Sequence, residues 1–150
     1  MIILVACIIS LCDRVWAQDP GADPLTLCYQ SVKRPGVQSF MTAECQKAAD
    51  LYQDKIVAEP GSSENYLLLG RCLGFMGQFE MAAQYVDKAI TLAPDDWTPH
   101  MDKAMNYVAL KRYSQARPEF QRSLELLKSG GGKDSDIQMV EELMKKYENK

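Results

Sequence analysis

Displaced by 34 positions, the chain meets a second copy of itself. Ala82 falls on Ala116 and Leu92 on Leu126, while Phe79 falls on Tyr113, Lys88 on Arg122 and Ile90 on Leu124. In the other direction Ala48, Ala49, Ile56 and Pro60 fall on Ala82, Ala83, Ile90 and Pro94. A fixed period of this length means one supersecondary unit used repeatedly. A single unit cannot bury its apolar face alone, so it stacks on its neighbours. Composition agrees: 150 residues with 47% hydrophobic and 25% charged side chains suit one soluble domain, not a disordered or polytopic membrane chain.

Within the period, residues 63–96 read Tyr66-x2-Leu69-Gly70-x2-Leu73, then Ala82-x3-Val86, Ala89 and Pro94. Residues 97–130 read His100-x2-Lys103-Ala104-x2-Tyr107, then Tyr113, Ala116-x3-Phe120 and Leu126. This pattern resembles the tetratricopeptide repeat, a helical hairpin whose signature is W-x2-L-G-x2-Y, A-x3-F and P. The likeness covers roughly half the chain and is partial over 42–60, where only the second helix matches. It implies an all-α fold, a right-handed α-solenoid of about seven helices with a C-terminal capping helix.

The residue chemistry supports the same reading. Gly70, Ala82, Ala89, Ala104 and Ala116 are small where helix axes must approach. Leu69, Leu73, Val86, Ile90 and Leu92 recur at helical spacing on inward faces. Gly77 and Phe79 mark a turn between helices. Pro94-Asp95-Asp96 ends one helix and caps the next, and Pro99 in a first turn loses no hydrogen bond. Departures exist too. Pro118 lies deep in its helix and is a candidate kink. Lys103 stands where Leu is expected and Lys128 where Pro is expected, so less regular packing is expected there. Pro35-Gly36 breaks the first repeat, giving an irregular hairpin with helices near 24–33 and 40–58. The expected organisation is 1–17, 18–62, 63–96, 97–130 and 131–150.

The first of these segments has its own character. Ile2–Cys12 is an apolar run broken only by Ser10, and Val15-Trp16-Ala17 offers small residues around a cut after Ala17. A spanning helix needs about 20 apolar residues, so a cleaved signal peptide is the preferred reading. An uncleaved apolar N-terminus and a lipidated Cys7 in Leu4-Val5-Ala6-Cys7 are the alternatives. Membrane contact is expected only in those two cases. A cut after Ala17 leaves Cys28, Cys45 and Cys72. Either Cys28 pairs with Cys45 on adjacent antiparallel helices, or all three are reduced and act as small apolar residues.

At the other end, Ser129-Gly130-Gly131-Gly132 is a joint before an apolar stripe of Ile137, Val140, Leu143, Met144 and Tyr147. Ser135 or Asp134 is expected to cap this helix. It either covers the last face of the stack or docks a partner.

Signs of catalysis are missing. Gly130-Gly131-Gly132-Lys133 is not a phosphate loop, since Leu127 takes the first glycine position and Asp134 follows the lysine. Asp95-Asp96 and Glu141-Glu142 are adjacent pairs that point in different directions on a helix. The lone His100 is expected to be solvated or packed. No C-x-x-C motif occurs, no metal or cofactor is expected, and a net charge of −3 gives no field for nucleic acid.

The resemblance implies instead a concave groove lined by the first helix of each repeat. Its family positions fall on Leu67, Arg71, Gly74 and Phe75, then on Met101, Met105, Val108 and Ala109. Leu67 and Met101 replace the Lys and Asn of members that clamp a carboxylate. The groove therefore reads as apolar and methionine-rich, suited to a protein or peptide segment. Met101, Met105 and Phe75 are equally consistent with core. The expected role is a non-catalytic adaptor or assembly factor in the periplasm or extracellular space, with no small-molecule substrate. A structural subunit of an envelope complex and an accessory regulator of a cell-wall enzyme are the alternatives.

Overall fold

Three turns of one kind organise the chain. In each, a helix ends on a residue in the left-handed region, and the next amide reaches back five residues. Gln78 N donates to Leu73 O at 2.9 Å, Arg112 N to Tyr107 O at 2.8 Å and Gly132 N to Leu127 O at 2.7 Å. The residues at positive φ are Gly77 (78°), Lys111 (59°) and Gly131 (69°). Gly77 and Lys111 are 34 positions apart, so the repeat places the same turn twice. Only the first uses the residue for which that conformation carries no steric penalty.

The structure is a computed structural model describing residues 23–32, 38–148 and 150. The described residues form seven helices and no strand: α1 Pro24–Val32, α2 Gln38–Ala58, α3 Ser63–Phe75, α4 Phe79–Leu92, α5 Trp97–Ala109, α6 Tyr113–Ser129 and α7 Asp134–Tyr147. The leader at 1–17 and the break at Pro35-Gly36 lie outside the described residues.

Side-chain caps start several helices. Asp23 accepts from Leu25 N and Thr26 N at the head of α1, and from Tyr52 OH of α2 at 3.0 Å. Ser62 caps α3, and Asp96 caps α5 by accepting from Thr98 N at 2.9 Å. At α7 the outcome differs from expectation. Lys133 precedes the helix, and neither Ser135 nor Asp134 caps it. Asp134 and Asp136 lie in its first turn and Lys145 and Lys146 in its last, each sign matched to the helix dipole. Helix α6 continues through the exposed Pro118 to Ser129.

Packing runs from neighbour to neighbour. Ala48, Ala49 and Tyr52 of α2 bury against Leu69, Cys72 and Leu73 of α3 and Ala82 of α4. Leu67 of α3 meets Val86 and Ala89 of α4. A second large cluster joins Ala104 of α5 to Phe120, Leu124 and Leu127 of α6 and Val140 of α7. Gly70 permits the α3–α4 approach: a Cβ there would stand 2.8 Å from Val86 Cγ2 and 3.2 Å from Ala82 O. Helix α1 touches α3, and α3 touches α5, while the second helices make no comparable contact with one another. The row therefore bends with α1, α3 and α5 on its inner side.

Candidate functional site

That inner side carries the residues expected to form the groove, and the structure sorts them. Leu67 is 93% buried between α3 and α4, against Val86 and Ala89, and presents almost nothing to a partner. The placement corrects the expected groove. Gly70 and Ala89 let the two helices close until Leu67 becomes core. Met101 and Val108 are half-buried against the α5–α6–α7 cluster and offer one flank each. Met105 is 38% exposed and is the one methionine of the set that reaches solvent substantially. Phe75 is half-buried and lies 5.8 Å from the Tyr29 ring. Tyr29, 45% exposed, was not expected from sequence. Its place depends on how α1 sits on α3, and the broken first repeat carries no register that would announce it.

Arg71 is likewise engaged within the chain. Its Nε lies 2.5 Å from Asp102 Oδ2, joining α3 to α5. Burial pushes the Asp102 carboxyl above its usual 3.8, and Arg71 partly offsets this. Among the described residues, the one cation expected in the groove is therefore paired within the chain. Gly74 lies beside this pair, where a Cβ would stand 3.1 Å from Asn106 Oδ1.

A longer charge chain runs along the other side of α5. Lys103 Nζ contacts Asp87 Oδ1 at 2.8 Å and Glu119 Oε1 at 2.7 Å, and Glu119 Oε2 lies 2.8 Å from His100 Nδ1. His100 is 91% buried and Lys103 largely so. Burial alone would raise the Glu119 carboxyl, but hydrogen bonds from Lys103 and His100 hold it below its usual value. Lys103 is pushed up by its two acids despite burial. The expected looseness near Lys103 is thus replaced by an ionic tie between α4, α5 and α6. The sequence signal was the Lys itself, at a position that otherwise demands Leu.

The cysteines complete the inventory. Cys28 and Cys45 form a disulfide that joins α1 to α2, with Cα atoms 4.6 Å apart. Cys72 is fully buried, and burial pushes its thiol up to about 12, so it stays protonated and unreactive at neutral pH. Among the described residues no group of three His, Cys, Asp or Glu could hold a metal ion, and no helix is long and apolar enough to cross a membrane. A cavity of about 680 Å³ opens away from the inner face, between α6 and α7.

Residues 63–96 match the family model described as the tetratricopeptide repeat. That segment is a tetratricopeptide repeat. The matched segment is the α3–α4 hairpin with its following turn, and the α5–α6 hairpin repeats it 34 residues on. No curated protein sequence matches the chain. Solved structures share its right-handed solenoid at low identity. The type III secretion translocator chaperone SycD of Yersinia enterocolitica aligns over 83% of this chain and 81% of its own, with TM-score 0.66 and 14% identity. The TPR2B domain of yeast Sti1, in a complex with pHsp70, aligns over 85% and 98%, with TM-score 0.65 and 18% identity. The TPR domain of Arabidopsis OM64 aligns over 83% and 98%, with TM-score 0.60 and 17% identity. At such identities the likeness establishes the fold alone.

Proposed function

We propose that this protein is a non-catalytic interaction module that takes an apolar segment of a partner protein along α1, α3 and α5. The observation that carries the reading is the apolar strip of Tyr29, Phe75 and Met105 on the inner side of the bend. Half-buried Met101 and Val108 flank it. Exposed methionine and aromatic rings at one concave surface adapt to varied apolar side chains. The yeast Sti1 domain of the same fold is in a complex with pHsp70, which fits a peptide ligand. The protein acts as an adaptor or assembly factor outside the cytoplasm, in the periplasm or extracellular space. The apolar leader with Val15-Trp16-Ala17 supports export, and a Cys28–Cys45 disulfide suits an oxidising compartment.

Binding of a panel of synthetic amphipathic peptides, read by fluorescence anisotropy, tests the surface. Met105→Lys and Phe75→Lys should each weaken the best binder at least tenfold, or about 1.4 kcal/mol, with helical content unchanged. Unchanged affinity in both folded variants refutes the assignment. Met105 is a cleaner probe than Met101, because a lysine at 101 would also disturb the core. Mass spectrometry of the exported protein checks the leader, and an N-terminus at Met1 would contradict cleavage after Ala17.

A further inference from the structure

Beside the packed Phe120–Leu124–Val140 core, the α6–α7 junction leaves an open cavity. Its volume of about 680 Å³ lies within the range of about 300–1,000 Å³ typical of small-molecule sites. Phe120 and Leu124 from α6 and Met144 and Tyr147 from α7 line it, with Tyr113 at one side. The three rings are nearly parallel. Tyr147 lies 6.0 Å from Tyr113 at 15° and 6.5 Å from Phe120 at 2°. The three rings stack on one another and present one continuous aromatic surface beside the cavity, a wall suited to an apolar body.

Charge at the mouth narrows the ligand class. Arg117 and Lys145 both border the cavity. Arg117 donates to the main-chain carbonyl of Glu148, and Lys145 pairs with no carboxylate among the described residues. Of the two acids on the rim, Glu141 is held by Lys128 at 2.8 Å, which leaves Glu148. Lys146 and Lys150 stand 5.4 and 5.7 Å from the centroid of the Tyr147 ring and add positive charge nearby. An apolar cavity with a surplus of cations at its opening is complementary to an acid with an apolar body.

We propose that the α6–α7 cavity binds a small amphiphilic carboxylate. Its apolar body lies against the half-buried Tyr113, Met144 and Tyr147, over the buried Phe120 and Leu124, and its carboxylate meets Arg117 and Lys145. The site faces away from α1, α3 and α5, so it stands or falls separately from the peptide-binding reading.

Titration calorimetry on the full chain with decanoate, against decanol as the uncharged control, tests the proposal below the micellar range. Decanoate should bind at one site at least tenfold more tightly than decanol. The double variant Arg117→Gln/Lys145→Gln should abolish that preference while leaving decanol unchanged. Gln121→Trp, at an exposed position on the rim, should block both ligands. All three side chains are solvent-exposed, and circular dichroism verifies that the variants fold. Equal binding of acid and alcohol overturns the proposal, as does a double variant that still prefers the acid. Preferential binding of an apolar peptide in this cavity, or a concentration-dependent dimer that excludes decanoate, overturns it in favour of a protein occupant.

Discussion

Lys103 Nζ and Glu119 Oε1 stand 2.7 Å apart across α5 and α6, where a regular repeat would bury a leucine. The pair changes what acid does to the protein. Glu119 has its folded pKa lowered from the usual 4.5. Its stabilising contribution is complete above that value and is lost as the pH falls through the folded pKa. Glu119→Gln should therefore lower stability at pH 7 by about 2 kcal/mol, the scale for removing one member of a partly buried pair. In urea unfolding followed by circular dichroism, the gap to wild type should narrow below pH 4.5. A gap that stays constant down to pH 3 would show that the carboxylate charge is not what matters. Comparison with wild type at each pH removes the opposing effect of Asp102, whose raised pKa makes its ionised form slightly destabilising.

Gly70 and Gly74 look alike in sequence, and the structure separates them. A methyl at Gly70 meets the fully buried Val86 and the backbone oxygen of Ala82, neither of which can withdraw. Gly70→Ala should cost about 2 kcal/mol through overpacking, even after the gain in helix propensity. At Gly74 the methyl meets the Asn106 amide, a side chain able to rotate. Gly74→Ala should stay within about 0.5 kcal/mol of wild type, because the propensity gain offsets the crowding. Thermal unfolding of the two single variants checks the contrast.

The 34-residue offset made α3–α6 legible, because small residues must recur wherever helix axes touch. Their bounds follow from caps and turns such as Asp96 and Gly77. The inner face was only half legible. Leu67 and Arg71 occupy groove positions, yet tight α3–α4 packing absorbed the first and Asp102 neutralised the second. Neither outcome has a local signature. Tyr29 became part of the strip through tertiary placement of α1, and the α6–α7 cavity is a mismatch of side-chain volumes that no periodicity records.

Two residues break the repeat without compensation, and repairing them should stabilise the protein. Lys111 takes the left-handed turn that Gly77 takes 34 residues earlier. Lys111→Gly should gain about 0.5–1 kcal/mol by relieving that strain. Ser123 holds the place of Ala89, fully buried, with its hydroxyl lacking a hydrogen-bond partner among the described residues. Ser123→Ala should gain about 1 kcal/mol by removing that group. The sites lie in different elements, so the gains should add in the double variant. A loss at either position, measured by the urea midpoint, would reveal a contact made by the native side chain.

The Cys28–Cys45 disulfide closes a loop of sequence separation 17 on the N-terminal hairpin. A loop of that size stabilises by about 3 kcal/mol in the chain-entropy account. In a solenoid each hairpin rests on its neighbours, so the loss should stay local. Cys28→Ser/Cys45→Ser should strip hydrogen-exchange protection from the α2 amides and leave α6 and α7 protected. The α2 contacts with Leu69, Cys72 and Leu73, the Tyr52–Asp23 hydrogen bond and the packing of Leu25 and Tyr29 of α1 would then hold the hairpin. Equal loss of protection in α2 and α6 would mean that the stack unfolds as one cooperative unit.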